Sequence, residues 1–430
     1  MNSASKNEKS WFPGAKLGIF LHWGIYSVGG MDASWPFFSG KVSHEEYMAQ
    51  ADRFCPTDYH PEKWAELFCA AGARYVVLTS KHHDGMALFD TATDGLSVVR
   101  NSACGRDLVA PYCAAMRDAG LRVGLYYSHL DWNHPAYPSI VPRSDEWWAR
   151  SRYNCPPDEK DHPEEWGRFL AFHRAQLTAL LDNYGHIDLL WFDGVWERPA
   201  EFWHFDEMAA FIRRHSPGTV INDRIGGHGD YRCPEQGVPT VPPEGDWELC
   251  MTLNDNWSYV PTDCHFKPLR EIVRVFVDCI SGGGNLLLGI GPCPDGSISP
   301  EYERRLRELG NWIAPRAEAI YDTERGLDPR FFLGGSTFSA DHRDLYLFQF
   351  DRPLGELCIK GLKSEPVSIT VVGGSGKELP RRRVPGFLQV PGLLWFTLPD
   401  EEVDPVCTVI RLHFDEPAEI YLGEGGGIVS

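Results

Sequence analysis

Residues 187–196, IDLLWFDGVW, run apolar through Ile187, Leu189, Leu190, Trp191 and Phe192 and then deliver a carboxylate, Asp193, with Gly194 behind it. An acid at the end of a segment that otherwise reads as buried costs free energy unless something pairs with it, so it needs a use. Other apolar runs end in the same way: His22 and Trp23 after LGIFL, Lys81 to Asp84 after YVVLTS, Tyr126 to His129 in GLYYSH, and Asn222 to Arg224 in VINDR. Three chemistries compete for these residues. Metal binding by His22, His82, His83 and Asp84 is disfavoured, because adjacent histidines on one strand point to opposite faces and no HExxH occurs. Ser or Cys nucleophilic catalysis lacks a GxSxG elbow and a cysteine beside a basic partner. A carboxylate in an aromatic-lined pocket fits best. Trp23, Trp35, Tyr126, Tyr127, Trp132, Trp191 and Trp257 lie at or near the same run ends as His22, His82, His83 and Arg224. Aromatic faces for C–H surfaces, with His and Arg for hydroxyls, are what a sugar requires. Glycoside hydrolysis then needs a second carboxyl group across the scissile bond.

The elements that must position these groups alternate from about residue 15 to 325. LGIFLHWG, ARYVVLTSKHHDG, LRVGLYYSHLDW, HIDLLWFDGVW, GTVINDRIGG, WELCMTL and NLLLGIGP read as strands, the longer ones as near-continuous apolar runs. Between them lie helical patterns such as HPEKWAELFCAAGA, whose Trp64, Leu67 and Phe68 share a face, and PEEWGRFLAFHRAQLTALLDNYG. Strands alternating with helices imply parallel pairing with both sheet faces covered. Polar residues at several C-terminal strand ends favour a (β/α)8 barrel of the TIM type. A doubly wound dinucleotide fold would want GxGxxG after its first strand, and LHWGIYSVGG does not supply it. After about residue 330 the texture changes to short strands, DLYLFQF, LCIKGL, VSITVVG, LLWFTLP and CTVIRLHF, with Gly and Pro turns. The expected organisation is a catalytic barrel over residues 1–328 and a small all-β sandwich over 329–430. GGSGKE in the second part fails as a phosphate loop, since Val371 stands where the first Gly belongs and Glu378 follows the Lys.

Composition bounds the partners. In 430 residues, 41 Lys plus Arg face 60 Asp plus Glu, a formal charge of −19 that disfavours phosphate backbones and anionic membranes. Neither nucleic acid nor membrane is expected as a partner, and oligomer formation is left open. The 12 cysteines contain no CxxC pair, and the N-terminal residues carry no apolar targeting core, so the expectation is a cytoplasmic protein with reduced thiols, needing no metal and no cofactor.

GIFLHWGIYS, SKHHDG, GLYYSHLDW, LLWFDG, VINDR and GGNLLLGIGP, in this order over roughly residues 11 to 325, together resemble the α-L-fucosidases of glycoside hydrolase family 29. The resemblance implies a barrel with a C-terminal β-sandwich, and metal-free, retaining hydrolysis of terminal α-L-fucosides through a covalent fucosyl-enzyme. The substrate it implies is a fucosylated oligosaccharide or glycoconjugate. It implies that Asp193 is the nucleophile, that His22, His82 and His83 hold sugar hydroxyls, and that Tyr126 or Tyr127, Trp191, Arg224 and Trp35 make further contacts. The resemblance further implies that Trp257 stands where an aromatic packs against the fucose methyl group. Trp191 alternates with Asp193 on one strand face and would serve equally as barrel core. For the acid/base, Glu235, Glu244 and Glu248 are in range. Glu235 is preferred because it resembles the family's Pro-Glu motif on a loop. Glu248, at the start of a strand, is the runner-up, and Glu244 between prolines and glycine reads as solvated. Three residues depart from the family pattern: Ser34 stands in place of a frequent Glu, so that an acidic contact to the sugar is either missing or supplied by Asp32, and Met86 and Gly289 replace Phe and Asn. Alternatives are another retaining exo-glycosidase, acting on α-L-galactosides or by transglycosylation, and, from a different class, a catalytically silent carbohydrate-binding protein.

Overall fold

The computed structural model describes residues 11–91, 93–137, 163–386 and 390–422. Seven parallel strands form one sheet: β1 (Leu17–Leu21), β2 (Tyr75–Lys81), β3 (Arg122–Ser128), β4 (Leu189–Asp193), β5 (Val220–Ile221), β6 (Glu248–Thr252) and β7 (Asn285–Ile290). Their order is β5-β4-β3-β2-β1-β7-β6. Helices α1 (Pro61–Ala70), α2 (Val109–Asp118), α3 (Pro163–Asn183) and α4 (Phe205–His215) make the crossovers from β1 to β5. Helix α5 (Leu269–Ser281) joins β6 to β7, and α6 (Pro300–Ile313) follows β7. These are the strand and helix runs read from the sequence, in the same order.

Between β5 and β6 the described chain takes a different course. No helix intervenes, and residues 231–235 bridge both sheet edges in parallel, Tyr231 to Asn222 on one side and Arg232 and Glu235 to Trp247 and Cys250 on the other. The sheet is therefore curled until its edges share one connecting segment. Side chains sort by parity on this surface, because successive residues of a strand face opposite ways. Phe20, Tyr75, Val77, Tyr126, Leu189, Trp191, Cys250 and Leu287 form one cluster inside, closed below by Phe12 of the helix Trp11–Ala15. Ile19, Leu21, Val76, Leu78, Leu125, Tyr127, Leu190, Phe192, Leu249 and Met251 face out into the helix layer.

Beyond α6 lie two antiparallel sheets. One is five-stranded, built from β8 (Glu324–Arg325), β9 (Gly335–Phe338), β10 (Asp344–Gln349), β12 (Ser368–Val371) and β15 (Thr408–His413). The other pairs β11 (Leu357–Lys360), β14 (Leu393–Phe396) and β13 (Arg381–Val384). Leu345, Leu347, Ile410 and Leu412 of the first share a core with Ile359, Leu394 and Phe396 of the second. Tyr346, Phe348 and Val409 point the other way, into the core around the parallel sheet, and Trp312 Nε1 donates to Cys407 O at 3.2 Å. β13, sequence RRRV, has no apolar alternation. Its arginines pair instead with Glu356, Glu365 and Glu378, an edge strand stabilised by charge.

Helices α1 and α6 meet at Gly310, where a Cβ would fall 1.8 Å from Ala70 O, a backbone atom that cannot turn aside. Gly310→Ala should gain about 1 kcal/mol of helix propensity and lose more to overpacking, about 1–3 kcal/mol. The expected result is a lower urea midpoint at unchanged m; a raised midpoint would mean that the two helices are not in contact at this spacing.

Candidate active site

β4 ends in Asp193, and the parity that sends Leu190 and Phe192 outward turns Trp191 and Asp193 inward. The register sets Tyr126 opposite Trp191 and Ser128 opposite Asp193. At 8% exposure the carboxylate is nearly buried and fully engaged. Tyr126 OH donates to Oδ2 at 3.0 Å, and Arg224 NH1 donates to Oδ1 at 2.6 Å. The other terminal nitrogen of Arg224 reaches Glu235 Oε2, also at 2.6 Å, so one guanidinium holds both carboxylates. Arg224 lies 4.5 Å over the face of Trp191, and Trp191 in turn stacks on Tyr126 with ring centres 5.6 Å apart.

Arg224 is placed by more than its own ion pairs. β5 is only two residues long, and the Asn222 side chain extends its pairing. Its amide accepts from Phe192 N and donates to Phe192 O, both at 2.9 Å. His129 Nε2 donates to Arg224 O at 2.9 Å, and its Nδ1 lies 3.1 Å from His173 Nε2. Burial pushes His129 down to about 4, which keeps the ring neutral and able to serve both partners.

The three histidines converge on the same space. β2 stops at Lys81, so the alternation that would separate His82 from His83 no longer applies, and their ring centres are 4.2 Å apart. Each ring is held by a serine: Ser34 Oγ lies 2.6 Å from His82 Nδ1, and Ser128 Oγ 2.6 Å from His83 Nδ1. Burial holds His22 and His83 well below the ordinary imidazole range, reinforced by neighbouring His82, and pushes His82 down to about 4. All three are neutral at pH 7. His22 Nδ1 and His83 Nε2 are buried with no hydrogen-bond partner, and His83 Nε2 is 3.6 Å from Asp193 Oδ2. A buried polar atom without a partner costs about 1–3 kcal/mol, which a bound hydroxyl would recover.

The aromatic walls are uneven. Trp257 packs 4.9 Å from the His22 ring, and its backbone N–H donates to Asp32 Oδ1 at 2.8 Å. Asp32 is thus occupied in joining the loop after β1 to the loop after β6. Trp35 meets His83 edge to face at 5.5 Å. The structure separates the two tyrosines by parity: Tyr126 touches Asp193, while Tyr127 faces α3, where its OH donates to Gln176 at 2.8 Å and Lys81 lies over its ring. Trp23 is likewise turned outward, against Tyr59 and Trp64.

Glu248 is not brought to Asp193. It sits at the opening residue of β6, fully buried beneath Trp191, and accepts from Trp191 Nε1 at 3.0 Å, Tyr231 OH at 3.2 Å and Tyr75 OH at 2.5 Å. Both of its oxygens are engaged by these three donors, at the opposite end of the strands from Asp193. Glu244 is exposed. Sequence reasoning missed Ser34 and Ser128 as the supports of His82 and His83, His129 as the support of Arg224, and the binding of both carboxylates by Arg224. Ser128 alone carried a signal, being two residues from Tyr126 on the same face.

Burial raises Glu248 to about 7, with Tyr75, Trp191 and Tyr231 opposing. Its folded value lies above the unfolded one, so between about pH 4.5 and 7 the native state binds more protons and this contribution to stability falls as pH rises. The buried histidines act in the opposite sense, losing stability as pH falls below about 6.5. The difference between variants isolates the glutamate: Glu248→Gln should gain about 2–3 kcal/mol on wild type from pH 4.5 to 7. Urea titrations at pH 5, 6 and 7 check this, and a pH-independent difference would mean that the group does not titrate in that window.

Residues 1–318 match the alpha-L-fucosidase family. The alpha-L-fucosidase of Branchiostoma floridae is 31% identical over 398 residues, covering 85% of this chain and 84% of that protein. The tissue alpha-L-fucosidase of Homo sapiens is 32% identical over 340 residues, covering 73% and 69%. Alpha-L-fucosidase isoenzyme 1 from Paenibacillus thiaminolyticus superposes with a TM-score of 0.84 at 30% identity, over 96% of this chain and 100% of that one. With a family match over residues 1–318 and relatives above 30% identity along most of its length, the chain belongs to the alpha-L-fucosidase family.

Proposed function

We propose that this protein is a retaining exo-α-L-fucosidase in which Asp193 is the nucleophile and Glu235 the acid/base. The observation that carries the reading is the pair of carboxylates on the two terminal nitrogens of Arg224, at 2.6 Å each. Two carboxyl groups so bound fit the close spacing of retaining glycosidases, about 5–5.5 Å, better than the about 6.5–9.5 Å of inverting ones. Asp193 attacks the anomeric carbon as the glycosidic bond breaks, and Glu235, protonated, gives its proton to the departing oxygen. Glu235 then takes a proton from the water that cleaves the Asp193 ester. His22 and His83 supply buried nitrogens for fucose hydroxyls, and Trp257 supplies an apolar face beside them for the methyl group. Arg224 and Tyr126 orient the nucleophile before substrate arrives, which spares reorganisation in the transition state.

The same reading completes the architecture. Residues 231–235 serve as the eighth stave between β5 and β6, closing a barrel of the (β/α)8 type, and the two antiparallel sheets form a β-sandwich. The sandwich domain begins where the chain enters β8, a few residues ahead of 329. The substrate is a fucosylated oligosaccharide or glycoconjugate. The described cysteines are all unpaired, which supports a reducing, cytoplasmic location.

Asp193→Ala should lower hydrolysis of an aryl α-L-fucoside by at least about a thousandfold while leaving the fold intact by circular dichroism. Comparable rates would sink the assignment. Glu235→Ala should lose about 10²–10⁴ on a substrate with a poor leaving group and recover with azide on an activated one. Azide rescue of Glu248→Ala instead would exchange the two glutamates' roles.

A further inference from the structure

Immediately after the nucleophile the chain turns at Gly194, φ 84°, where a Cβ would lie 2.5 Å from Leu130 Cγ. The turn returns Trp196 to the neighbourhood of the site. Its indole is 40% exposed, while the other large hydrophobic side chains exposed among the described residues are Val or Leu. It stacks on Trp35 with ring centres 6.0 Å apart and planes 25° from parallel, and it meets His83 edge to face at 5.2 Å. The loop that carries it is anchored by its next two residues. Glu197 accepts from Trp132 Nε1 at 2.9 Å and from Tyr137 OH at 2.6 Å, and Arg198 lies 3.7 Å over Trp166 and 4.6 Å over Tyr137.

An indole left in water costs hydrophobic free energy, and a loop fixed by a half-buried acid and an arginine cannot fold it away. One face of the ring is turned to Trp35, and His83 meets the ring at right angles, inside the site. What remains is a flat apolar surface continuing outward from the residues that hold the fucosyl ring. Aromatic faces of this kind suit the C–H face of a pyranose, whose hydroxyls stay in water around the rim.

We infer that Trp196 is the platform of a second sugar subsite, taking the C–H face of another pyranose ring of the same glycan as the terminal fucose. The inference rests on the fucosidase reading given above. The subsite selects oligosaccharides over fucosides with small leaving groups, and it acts through binding of the remote ring rather than through the reacting atoms.

Steady-state kinetics with two substrates test it: a fucosylated trisaccharide, and α-L-fucosyl fluoride, whose leaving group is too small to reach the indole. Trp196→Ala should raise KM for the trisaccharide about five- to tenfold and change kcat/KM for the fluoride less than about twofold. Trp196→Phe, which keeps a smaller aromatic face, should restore most of the trisaccharide KM and guards against a merely unfolded Ala variant. Equal losses on both substrates would mean that Trp196 only supports Trp35, and no change on either would mean that no ring rests there; both overturn the subsite. A wild-type protein that hydrolyses neither substrate would remove the fucosidase reading, and this inference with it.

Discussion

Side-chain parity on strands buried on both faces is the constraint from which the site follows. Such a strand has no solvent side, so each residue must enter either the inner cluster or the helix layer, and a slip of one position exchanges the two sets. Phe20 and His22, Tyr126 and Ser128, and Trp191 and Asp193 are inward pairs two residues apart. They become neighbours only because β1, β3 and β4 keep their register around the curled sheet. The helices on the outer face enforce that register by burying Leu21, Tyr127 and Phe192.

Given that constraint, the interior must carry charge and polarity at a low dielectric, and it does so in two tiers. The upper tier is the nearly buried Asp193–Arg224 pair, whose guanidinium also reaches out to the exposed Glu235. The lower tier is Glu248, satisfied by two tyrosines and an indole. Trp191 belongs to both, donating downward to Glu248 while its faces support Tyr126 and Arg224. Burial raises Glu248 to about 7 although it lies beneath Trp191, at the opposite end of the strands from Asp193.

The closing segment links the fold to the chemistry. Residues 231–235 are too short and too polar to read as a strand, and Pro234 removes a donor that a regular ladder would use. Yet their bridges to both sheet edges hold Tyr231 beneath, against Glu248, and Glu235 above, against Arg224. The same five residues bridge both edges of the curled sheet and carry Glu235 to Arg224. The exposed Trp196, on a loop held through Glu197 and Arg198, lies against Trp35 and His83.

Much of this was legible in the residue order. The apolar runs, the polar residues at their ends and the spacing of the helical patterns located β1 to β7 and identified Asp193, His22, His82, His83 and Trp191 as a cluster. Those features are local, and strand parity ties Trp191 to Asp193 wherever the strand lies. Tyr126 and Tyr127 were inseparable because parity gives alternation without origin; only the pairing of Tyr126 with Trp191 sets which is inward. The polar strand β13 was invisible because ion pairs to Glu356, Glu365 and Glu378, distant in sequence, replace the apolar alternation. The sequence by itself determined that a strand-end carboxylate sits among sugar-binding residue types, since that depends on local pattern. Tertiary structure alone decided which glutamate shares Arg224 with it, because the partners are joined through space by one guanidinium and by a segment without secondary-structure signal.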